Sequence, residues 1–222
     1  MNDNIKVENL FDKTQTIANE LFTEGTYPWE ILPKIKEYIL ELGPKLSKDE
    51  YDQIGDNIWI AKSAKVADSA SITGPTIIGK DTEIRHCAFI RENAIVGEGV
   101  VVGTATELKN VILFNKVQVP HYNYVGDSIL GYKAHMGAGA ITSNVKSDKT
   151  LVCISCPNER IPTKLKKVGA LIGDLVEVGC NAVLNPGTVI GRNSSVYPLT
   201  MVRGYIPENS ICKKTDLIIT KE

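Results

Sequence analysis

Residues 76–108 read TIIGKDTEIRHCAFIRENAIVGEGVVVGTATEL, and every sixth residue of this stretch is aliphatic. The aliphatic positions are Ile78, Ile84, Ile90, Val96, Val102 and Leu108. The same spacing runs back to Ile60 and forward to Phe114, and it returns between Ile172 and Val202. A period of six matches neither the roughly 3.6-residue period of a helix nor the alternation of an ordinary strand. It therefore predicts a fold built from stacked short repeats.

A hexapeptide can supply one short strand and one turn, so three hexapeptides complete a triangular coil. Coils of this kind stack about 4.8 Å apart as parallel strands, with the aliphatic positions filling the narrow interior. The hexapeptide repeat is typical of the left-handed parallel β-helix, the known exception to right-handed crossovers. We predict a mainly β protein in which residues 58–222 form a left-handed parallel β-helix of hexapeptide repeats.

Residues 1–57 differ from the repeat region because they contain few isoleucine, valine and glycine residues. Apolar residues recur at helical spacing over residues 10–22 and again over residues 29–39. Residues 47–50, with the sequence SKDE, have the form of a capping box. We predict that residues 1–57 form an N-terminal α-helical segment that caps the open first coil or contacts a trimer partner.

The repeat is interrupted twice, and loops that break a solenoid are where binding sites usually lie. After Phe114 the next hexapeptide would start at Pro120, but the stretch PHYNY at residues 120–124 leads into Val125, which is one step out of phase with Leu130 and Met136. A loop insertion then spans about residues 142–168 and contains the pair Cys153-x-x-Cys156. We interpret this pair as structural, because the chain has no second CxxC. The insertion also carries Lys164, Lys166 and Lys167, which indicate a solvated basic loop or a contact with phosphate groups.

Composition and charge exclude several classes of protein. The 222 residues carry 25 Lys+Arg against 26 Asp+Glu, a net charge of −1, which gives no electrostatic footprint for nucleic acid or an anionic membrane. No apolar run approaches the roughly 20 residues of a membrane-spanning helix, and the first residues lack a signal-peptide pattern. Five cysteines do not indicate a secreted disulfide framework, so we expect reduced thiols and a cytoplasmic location.

Arg91 and Lys109 are eighteen residues apart, and both follow an aliphatic position. Three hexapeptides make one coil, so these two cations should lie above one another on neighbouring coils. Two stacked cations form a plausible phosphate site. The alternative is a pair of solvated surface charges, and Arg85 at an equivalent position shows that such residues also occur singly.

Three sequence motifs lie between Arg91 and Val145. They are Glu107-Leu108-Lys109, His121-Tyr122-Asn123-Tyr124-Val125-Gly126-Asp127 and Gly137-Ala138-Gly139-Ala140-Ile141-Thr142-Ser143-Asn144. This stretch resembles, without a gap, the acetyltransferase half of the bifunctional N-acetylglucosamine-1-phosphate uridyltransferase/glucosamine-1-phosphate acetyltransferase family, whose members are trimeric left-handed β-helix enzymes. Residues 1–57 match nothing in that family and lack a glycine-rich nucleotide-binding signature. We therefore expect no pyrophosphorylase activity from this chain.

The resemblance implies a role for individual residues. His121 would be the general base that removes a proton from the acceptor amine, since a neutral imidazole titrates near the working pH. The implied substrate-binding residues are Arg91 and Lys109 for the sugar phosphate, Tyr124 for the sugar, and Asn144 and His135. The implied contacts of coenzyme A, which delivers the acetyl group as acetyl-CoA, are Ala138, Cys180 and Pro198. Backbone N–H groups near Ala138 would stabilise the developing oxyanion, and the resemblance implies no metal.

Three positions depart from the family pattern: His135 replaces an Asn, Val145 a Tyr and Cys180 a Ser. We predict a coenzyme-A-dependent N-acetyltransferase for an amino-sugar phosphate or a sugar nucleotide, assembled as a homotrimer without nucleic-acid or membrane partners. Two alternatives stay open. One is a non-catalytic sugar-nucleotide-binding or regulatory remnant of a nucleotidyltransferase. The other is a zinc enzyme of the γ-carbonic-anhydrase type that uses His86, His121 and His135.

Overall fold

The computed structural model describes residues 3–157, 159–215 and 217–221, which form a parallel β-helix preceded by short helical elements. No helix in this described part is long and apolar enough to cross a membrane. The helical elements are α1 (Val7–Leu10), α2 (Ile35–Leu42) and 3₁₀ turns at Asp3–Ile5, Lys13–Gln15, Asn19–Leu21, Pro28–Glu30, Leu32–Lys34 and Gly43–Lys45. The strands are β1 (Tyr51–Gly55), β2 (Ile58–Ala61), β3 (Lys65–Val66), β4 (Ser71–Ile72), β5 (Thr76–Ile78), β6 (Glu83–Ile84), β7 (Phe89–Ile90), β8 (Ala94–Val96), β9 (Val101–Thr104), β10 (Glu107–Leu113), β11 (Gln118–His121), β12 (Tyr124–Leu130), β13 (His135–Met136), β14 (Ile141–Thr142), β15 (Cys153–Cys156), β16 (Glu159–Pro162), β17 (Ala170–Ile172), β18 (Glu177–Val178), β19 (Val183–Leu184), β20 (Thr188–Ile190), β21 (Ser195–Val196), β22 (Met201–Val202), β23 (Tyr205–Ile206), β24 (Ser210–Lys214) and β25 (Leu217–Thr220).

The coils have three faces, each a ladder of parallel strands. Face 1 contains β2, β5, β8, the second half of β10, the second half of β12, β17, β20 and β23. Face 2 contains β3, β6, β9, β11, β13, β18, β21 and β24. Face 3 contains β4, β7, the first half of β10, the first half of β12, β14, β19 and β22. The predicted mainly β, left-handed parallel β-helix with an N-terminal helical segment is confirmed.

The chain turns sharply at the corners between faces, and residues in the left-handed backbone conformation make these turns. Corner 3/1 is where the chain passes from face 3 to face 1, and corner 2/3 is where it passes from face 2 to face 3. Corner 3/1 has positive φ angles at Asn93, Asn110, Asp127, Gly187 and Gly204. Asn, Asp and Gly adopt this conformation at the least steric cost, so the corner sequence fits the turn that it makes.

The repeat frame shifts at corner 3/1. Leu108 lies opposite Ile90, eighteen residues earlier, whereas Leu113 lies opposite Val96, seventeen residues earlier. The corner at residues 109–110 is therefore one residue shorter than the corner before it. The following coil is also one of seventeen residues, since Tyr124 lies opposite Ile141.

The break predicted at residues 120–124 is wrong. His121 lies opposite Thr104 in the same seventeen-residue register as the rest of its coil, so no residue is lost or gained there. The error arose because Leu113 and Phe114 are both apolar. Leu113 takes the strand position opposite Val96, while Phe114 packs against the N-terminal segment.

The N-terminal segment lies along face 1, where α2 contacts β8 and β10. All three residues of β8 are buried in this contact. The helices are shorter than predicted: α1 ends at Leu10, because Asp12 accepts a hydrogen bond from the Thr14 N–H and starts a separate 3₁₀ turn. Within the predicted capping box, residues 48–50 form a turn rather than a helix. Within the segment predicted as helical, β1 is already a strand, and it pairs antiparallel with β2.

Apolar and polar contacts both attach this segment to the solenoid. The rings of Phe11, Phe22 and Phe114 pack with centroids 4.9 to 5.7 Å apart, and all three side chains are buried. The Asp174 carboxylate accepts the backbone N–H of Asp12 at 2.7 Å. Burial raises the pKa of Asp174. The segment is thus joined to the coils by both apolar and polar contacts.

Residues 143–157 and 159–168, which we call the arm, contain a pair of strands rather than a plain loop. β15 and β16 pair as an antiparallel hairpin. Val152 and Ile154 are fully buried and pack over Gly187 at corner 3/1, where an added Cβ would lie 2.8 Å from the Val152 Cγ1. The arm is therefore fixed against the solenoid by its own apolar side chains.

Candidate functional site

Arg91 and Lys109 lie on consecutive coils at corner 3/1. β7 pairs with β10 so that Ile90 faces Leu108, and the Arg91 N–H donates to the Leu108 carbonyl at 2.9 Å. The residues that follow Ile90 and Leu108 are therefore neighbours. The stacking of Arg91 and Lys109 predicted from their spacing is confirmed.

Both of these cations have carboxylate partners. Arg91 Nη1 donates to Glu107 Oε1 at 3.0 Å, and this hydrogen bond raises the pKa of the Arg91 guanidinium. Lys109 Nζ lies 3.7 Å from Asp127 Oδ2 and 3.9 Å from Glu92 Oε1. Two cations face three carboxylates, so the local charge is about −1 by Coulomb bookkeeping. The corner therefore presents both signs of charge to a ligand.

Asp127 is the centre of a polar network. Its Oδ2 accepts a hydrogen bond from Asn144 Nδ2 at 2.5 Å, and its Oδ1 accepts one from Asn110 Nδ2 at 3.0 Å. Asn144 Nδ2 also lies 3.1 Å from the Tyr124 hydroxyl oxygen, to which it donates. Asp127 is only 5% exposed, so it fixes the orientation of Asn144 from within the corner. The predicted substrate residues Tyr124, Asn144 and Lys109 are thereby brought together.

Gly126 makes room for the Tyr124 side chain. A Cβ added at Gly126 would lie 2.4 Å from the Tyr124 hydroxyl oxygen and 2.9 Å from Asn144 Nδ2. Burial raises the pKa of Tyr124, because a phenolate is poorly solvated there. The phenol therefore stays protonated at neutral pH and keeps a hydrogen to donate.

His121 lies at corner 2/3, at the end of β11. Its backbone is fixed on both sides, since its N–H donates to Asn123 Oδ1 at 3.1 Å and its carbonyl accepts the Gly139 N–H at 3.0 Å. Asn123 is buried and donates in turn to the Gly137 carbonyl at 2.8 Å. The imidazole is exposed, and no hydrogen-bond partner for it is found among the described residues. A rigid backbone thus holds a ring that is open to a substrate.

Ala138, Cys180 and Pro198, the predicted coenzyme A contacts, form one row along corner 2/3. The Ala138 carbonyl accepts the Asn181 N–H at 2.8 Å, and the Cys180 carbonyl accepts the Leu199 N–H at 2.9 Å. The predicted stacking of Cys180 and Pro198 is confirmed by the pairing of β18 with β21. The row is accessible, with Cys180 and Pro198 exposed, and its small side chains suit an extended, largely apolar ligand.

Within one chain, His135 lies apart from the cluster around Asp127. It belongs to β13 on face 2, where its Nδ1 lies 2.7 Å from Glu177 Oε2. A groove on that face is lined by His135, Lys116 and Lys133. The structure therefore places the predicted substrate contacts on corner 3/1, corner 2/3 and face 2.

The structure gives no support to a metal centre. Within residues 3–157, 159–215 and 217–221, no group of three or more His, Cys, Asp or Glu side chains is arranged to hold a metal ion. Cys153 and Cys156 are three residues apart on the single strand β15, so their side chains point to opposite sides and lie roughly 10 Å apart. That separation is too long for a disulfide between them.

Sequence reasoning missed the acidic part of the cluster. Glu107 and Asp127 belong to the motifs quoted above, but the sequence assigns them no role, and no motif marks Glu92 and Asn110. One signal was present: acidic residues occur beside both Arg91 and Lys109, either next in sequence or one coil away. Their partners became clear only once the seventeen-residue register was known.

Sequence comparisons with known proteins show which family the chain belongs to. A family model described as the GMPPB C-terminal domain matches residues 72–165. The bifunctional protein GlmU of Methanococcus maripaludis (strain C5 / ATCC BAA-1333) is 33% identical over 207 residues, which cover 92% of this chain and 50% of that protein. This match includes most of residues 1–57, so the expectation that these residues match nothing in the family is wrong. An uncharacterized acetyltransferase of Escherichia coli (strain K12), YaiX, is 30% identical over 169 residues, which cover 76% of this chain and 74% of YaiX. The chain belongs to the hexapeptide-repeat acetyltransferase family.

This hexapeptide-repeat acetyltransferase chain spans about half the length of the GlmU protein that it matches. Among solved structures, the D94A mutant of AntD, an N-acyltransferase from Bacillus cereus in complex with dTDP and coenzyme A, is 17% identical. The match covers 78% of this chain and 91% of AntD, with a TM-score of 0.40.

Proposed function

We propose that the protein is a coenzyme-A-dependent N-acetyltransferase that acetylates an amino-sugar phosphate or a sugar nucleotide, with His121 as the general base. The observation that carries this proposal is the cluster of Arg91, Lys109, Tyr124 and Asn144 around Asp127. An amino-sugar phosphate carries a phosphate and an amine. A corner with two cations and three carboxylates complements both groups, whereas a purely cationic corner would complement only the phosphate.

The reaction forms a C–N bond between the acceptor amine and the acetyl carbonyl carbon, and it breaks the C–S bond of the thioester. His121 removes the proton of the attacking amine, and that proton returns to the leaving thiolate. The carbonyl oxygen becomes negatively charged on the way. The Ala138 N–H has no hydrogen-bond acceptor among the described residues, so it can donate to this oxygen.

The acetyl donor would lie along the row of Ala138, Cys180 and Pro198. These residues present small, accessible surfaces on three successive coils, and coils are spaced about 4.8 Å apart. The row therefore spans about 10 Å and would contact the part of acetyl-CoA nearest the thioester. Acetyl-CoA supplies the activated acetyl group, and the chain contributes binding, orientation and proton transfer.

We also propose a homotrimer in which two chains complete each site. Face 1 is covered by the chain's own N-terminal segment, which leaves faces 2 and 3 for partners. His135 on face 2 is separated from Tyr124 and Asn144 within one chain. A neighbour that brings its face 2 toward corner 3/1 would join His135 to the cluster.

The decisive experiment measures thiol release from acetyl-CoA with glucosamine-1-phosphate as acceptor. We expect His121→Ala to lower kcat by about 10²- to 10⁴-fold, the usual contribution of a general base. His86→Ala is the matched control, because His86 lies on the same corner with its Nδ1 bonded to the Ser69 hydroxyl at 3.0 Å. His86→Ala should keep wild-type turnover. Equal rates in wild type and His121→Ala would contradict the assignment of His121. If wild type binds acetyl-CoA and acceptor but releases no thiol, the protein is a binding module instead.

A further inference from the structure

The arm encloses a cavity that the proposed reaction leaves without a role. The cavity has a volume of about 300 Å³ and lies between the inner edge of the arm and corner 3/1. This volume is at the lower end of the range for small-molecule sites. Ser143 and Val145, which flank the candidate substrate residue Asn144, form part of its wall. The cavity therefore adjoins the backbone on both sides of Asn144.

The walls of this cavity are held in place. At the base of the arm, the Val168 N–H donates to the Asn144 carbonyl at 3.0 Å, and in its middle the Val152 N–H donates to the Leu165 carbonyl at 2.8 Å. At its outer end, an added Cβ on Gly204 would lie 2.6 Å from the Ser155 carbonyl oxygen. The arm backbone therefore touches the coil directly, and the cavity has a fixed shape.

The lining of the cavity is strongly cationic. Arg160 comes from the arm, Arg203 from corner 3/1, and Lys146 from the segment after Asn144. Lys146 Nζ lies 3.2 Å from Asp148 Oδ2, and hydrogen bonds from Thr150 lower the pKa of Asp148 to about 2. Lys146 and Asp148 therefore balance each other. The two arginines have no ion-pair partner within residues 3–157, 159–215 and 217–221, which leaves a net charge of about +2.

We propose that this cavity binds the phosphate groups of a nucleotide-bearing ligand. Arginine presents a planar fork of donors that matches phosphate oxygens, and the hydroxyls of Ser143, Ser147 and Ser155 line the same space. By contrast, Arg91 and Lys109 are both paired to carboxylates. The cavity is therefore the more strongly anion-selective of the two sites. The inference rests on the proposed function only for the identity of the ligand.

Two ligands of the proposed reaction carry such phosphate groups, namely a sugar nucleotide, through its diphosphate, and coenzyme A. The position of the cavity favours the acceptor. It shares corner 3/1 with Lys109 and Asn144, whereas the row of Ala138 and Cys180 lies on corner 2/3. A cavity that holds a diphosphate beside Asn144 would select sugar nucleotides over plain sugar phosphates.

The test is isothermal titration of the wild type with inorganic pyrophosphate, UDP and coenzyme A, repeated on the double variant Arg160→Gln/Arg203→Gln. We expect pyrophosphate to bind at least about tenfold more weakly to the double variant, since charge-assisted hydrogen bonds are lost. Arg85→Gln is the matched control, because Arg85 is paired to Glu83 at 3.1 Å and lies outside the cavity. It should bind pyrophosphate as the wild type does.

The UDP and coenzyme A titrations identify the source of the phosphates. Weaker binding of either one to the double variant supports the cavity and names that ligand. The proposal is overturned if the double variant, with an unchanged unfolding temperature, binds all three probes as tightly as the wild type. Absence of pyrophosphate binding to the wild type at millimolar concentration also overturns it. His121→Ala should keep wild-type pyrophosphate binding, so failure of acetyl transfer and failure of the cavity are separate results.

Discussion

Gly126 shows how a single residue sets the geometry of the candidate site. Its missing side chain leaves space in which the Tyr124 hydroxyl meets Asn144. We predict that Gly126→Ala displaces the Tyr124 ring and breaks this hydrogen bond. Because the obstructing atoms are the ends of side chains, the fold should persist while kcat/KM for the acceptor falls about tenfold, the worth of one to two hydrogen bonds. Steady-state kinetics with varied acceptor provides the measurement.

Gly55→Ala is a suitable control for that substitution. A Cβ at Gly55 would meet only the flexible end of Ile58, at 3.2 Å, far from the cluster along the chain. Its kinetics should match those of the wild type. If Gly126→Ala also leaves kcat/KM unchanged, the Tyr124–Asn144 contact has no part in acceptor binding.

Among the structural elements, the junction between the N-terminal segment and face 1 depends on Phe114. Its ring is fully buried between Phe11 and Phe22. We predict that Phe114→Ala lowers the free energy of unfolding by about 3–5 kcal/mol, through lost burial and the cavity left behind. Phe89→Ala is the matched control, since Phe89 on face 3 is 41% exposed. Denaturant titration of both variants checks this, and equal losses would contradict the packing role of Phe114.

The arm is the second element whose position can be tested. Gly187 and Gly25 have similar φ angles, +77° and +79°. A Cβ added at Gly187 would lie 2.8 Å from the Val152 side chain, whereas a Cβ added at Gly25 would meet no atom within 4 Å. Both glycine to alanine substitutions incur backbone strain of about 1–2 kcal/mol, but only Gly187→Ala should also loosen the arm. Limited proteolysis should therefore cut residues 143–168 faster in Gly187→Ala than in Gly25→Ala. Identical cleavage rates would mean that the arm does not depend on this contact.

On the scale of the whole molecule, the coverage of face 1 limits how copies can associate. Faces 2 and 3 are left to form contacts, and we expect light scattering to give three times the 24.3 kDa chain mass. Burial of the paired faces should make the mass independent of concentration in the micromolar range. A monomer mass under those conditions would remove the basis for a site shared between chains.

The sequence predicted the coil architecture because the interior of a narrow solenoid accepts only one aliphatic residue per hexapeptide. It did not predict the shortened corner at residues 109–110, because Leu113 and Phe114 are both apolar and Phe114 continues the six-residue spacing in place of Leu113. The predicted N-terminal helices are longer than those in the structure. The helical spacing of apolar residues indicates which residues are buried against face 1, but it does not show where a helix ends. The first helix ends before Asp12, because the Asp12 side chain accepts a hydrogen bond from the Thr14 N–H.

The candidate site was predictable only in part. The eighteen-residue spacing was enough to place Arg91 beside Lys109, and the motif that ends at Asn144 drew attention to the right corner. The carboxylate partners were not predictable, because they depend on which side chains turn toward each other across coils. The cationic cavity needs Arg160 and Arg203, which are far apart in sequence and meet only because the arm folds back.

The reversal of chain direction at both ends of the solenoid has a consequence for aggregation. β1 runs antiparallel to β2, and β25 runs antiparallel to β24. A stack of parallel strands with a bare edge is a template on which further copies can add without limit. Each antiparallel strand offers a mismatched edge to an incoming coil. Addition of a further parallel coil is therefore disfavoured at these two strands.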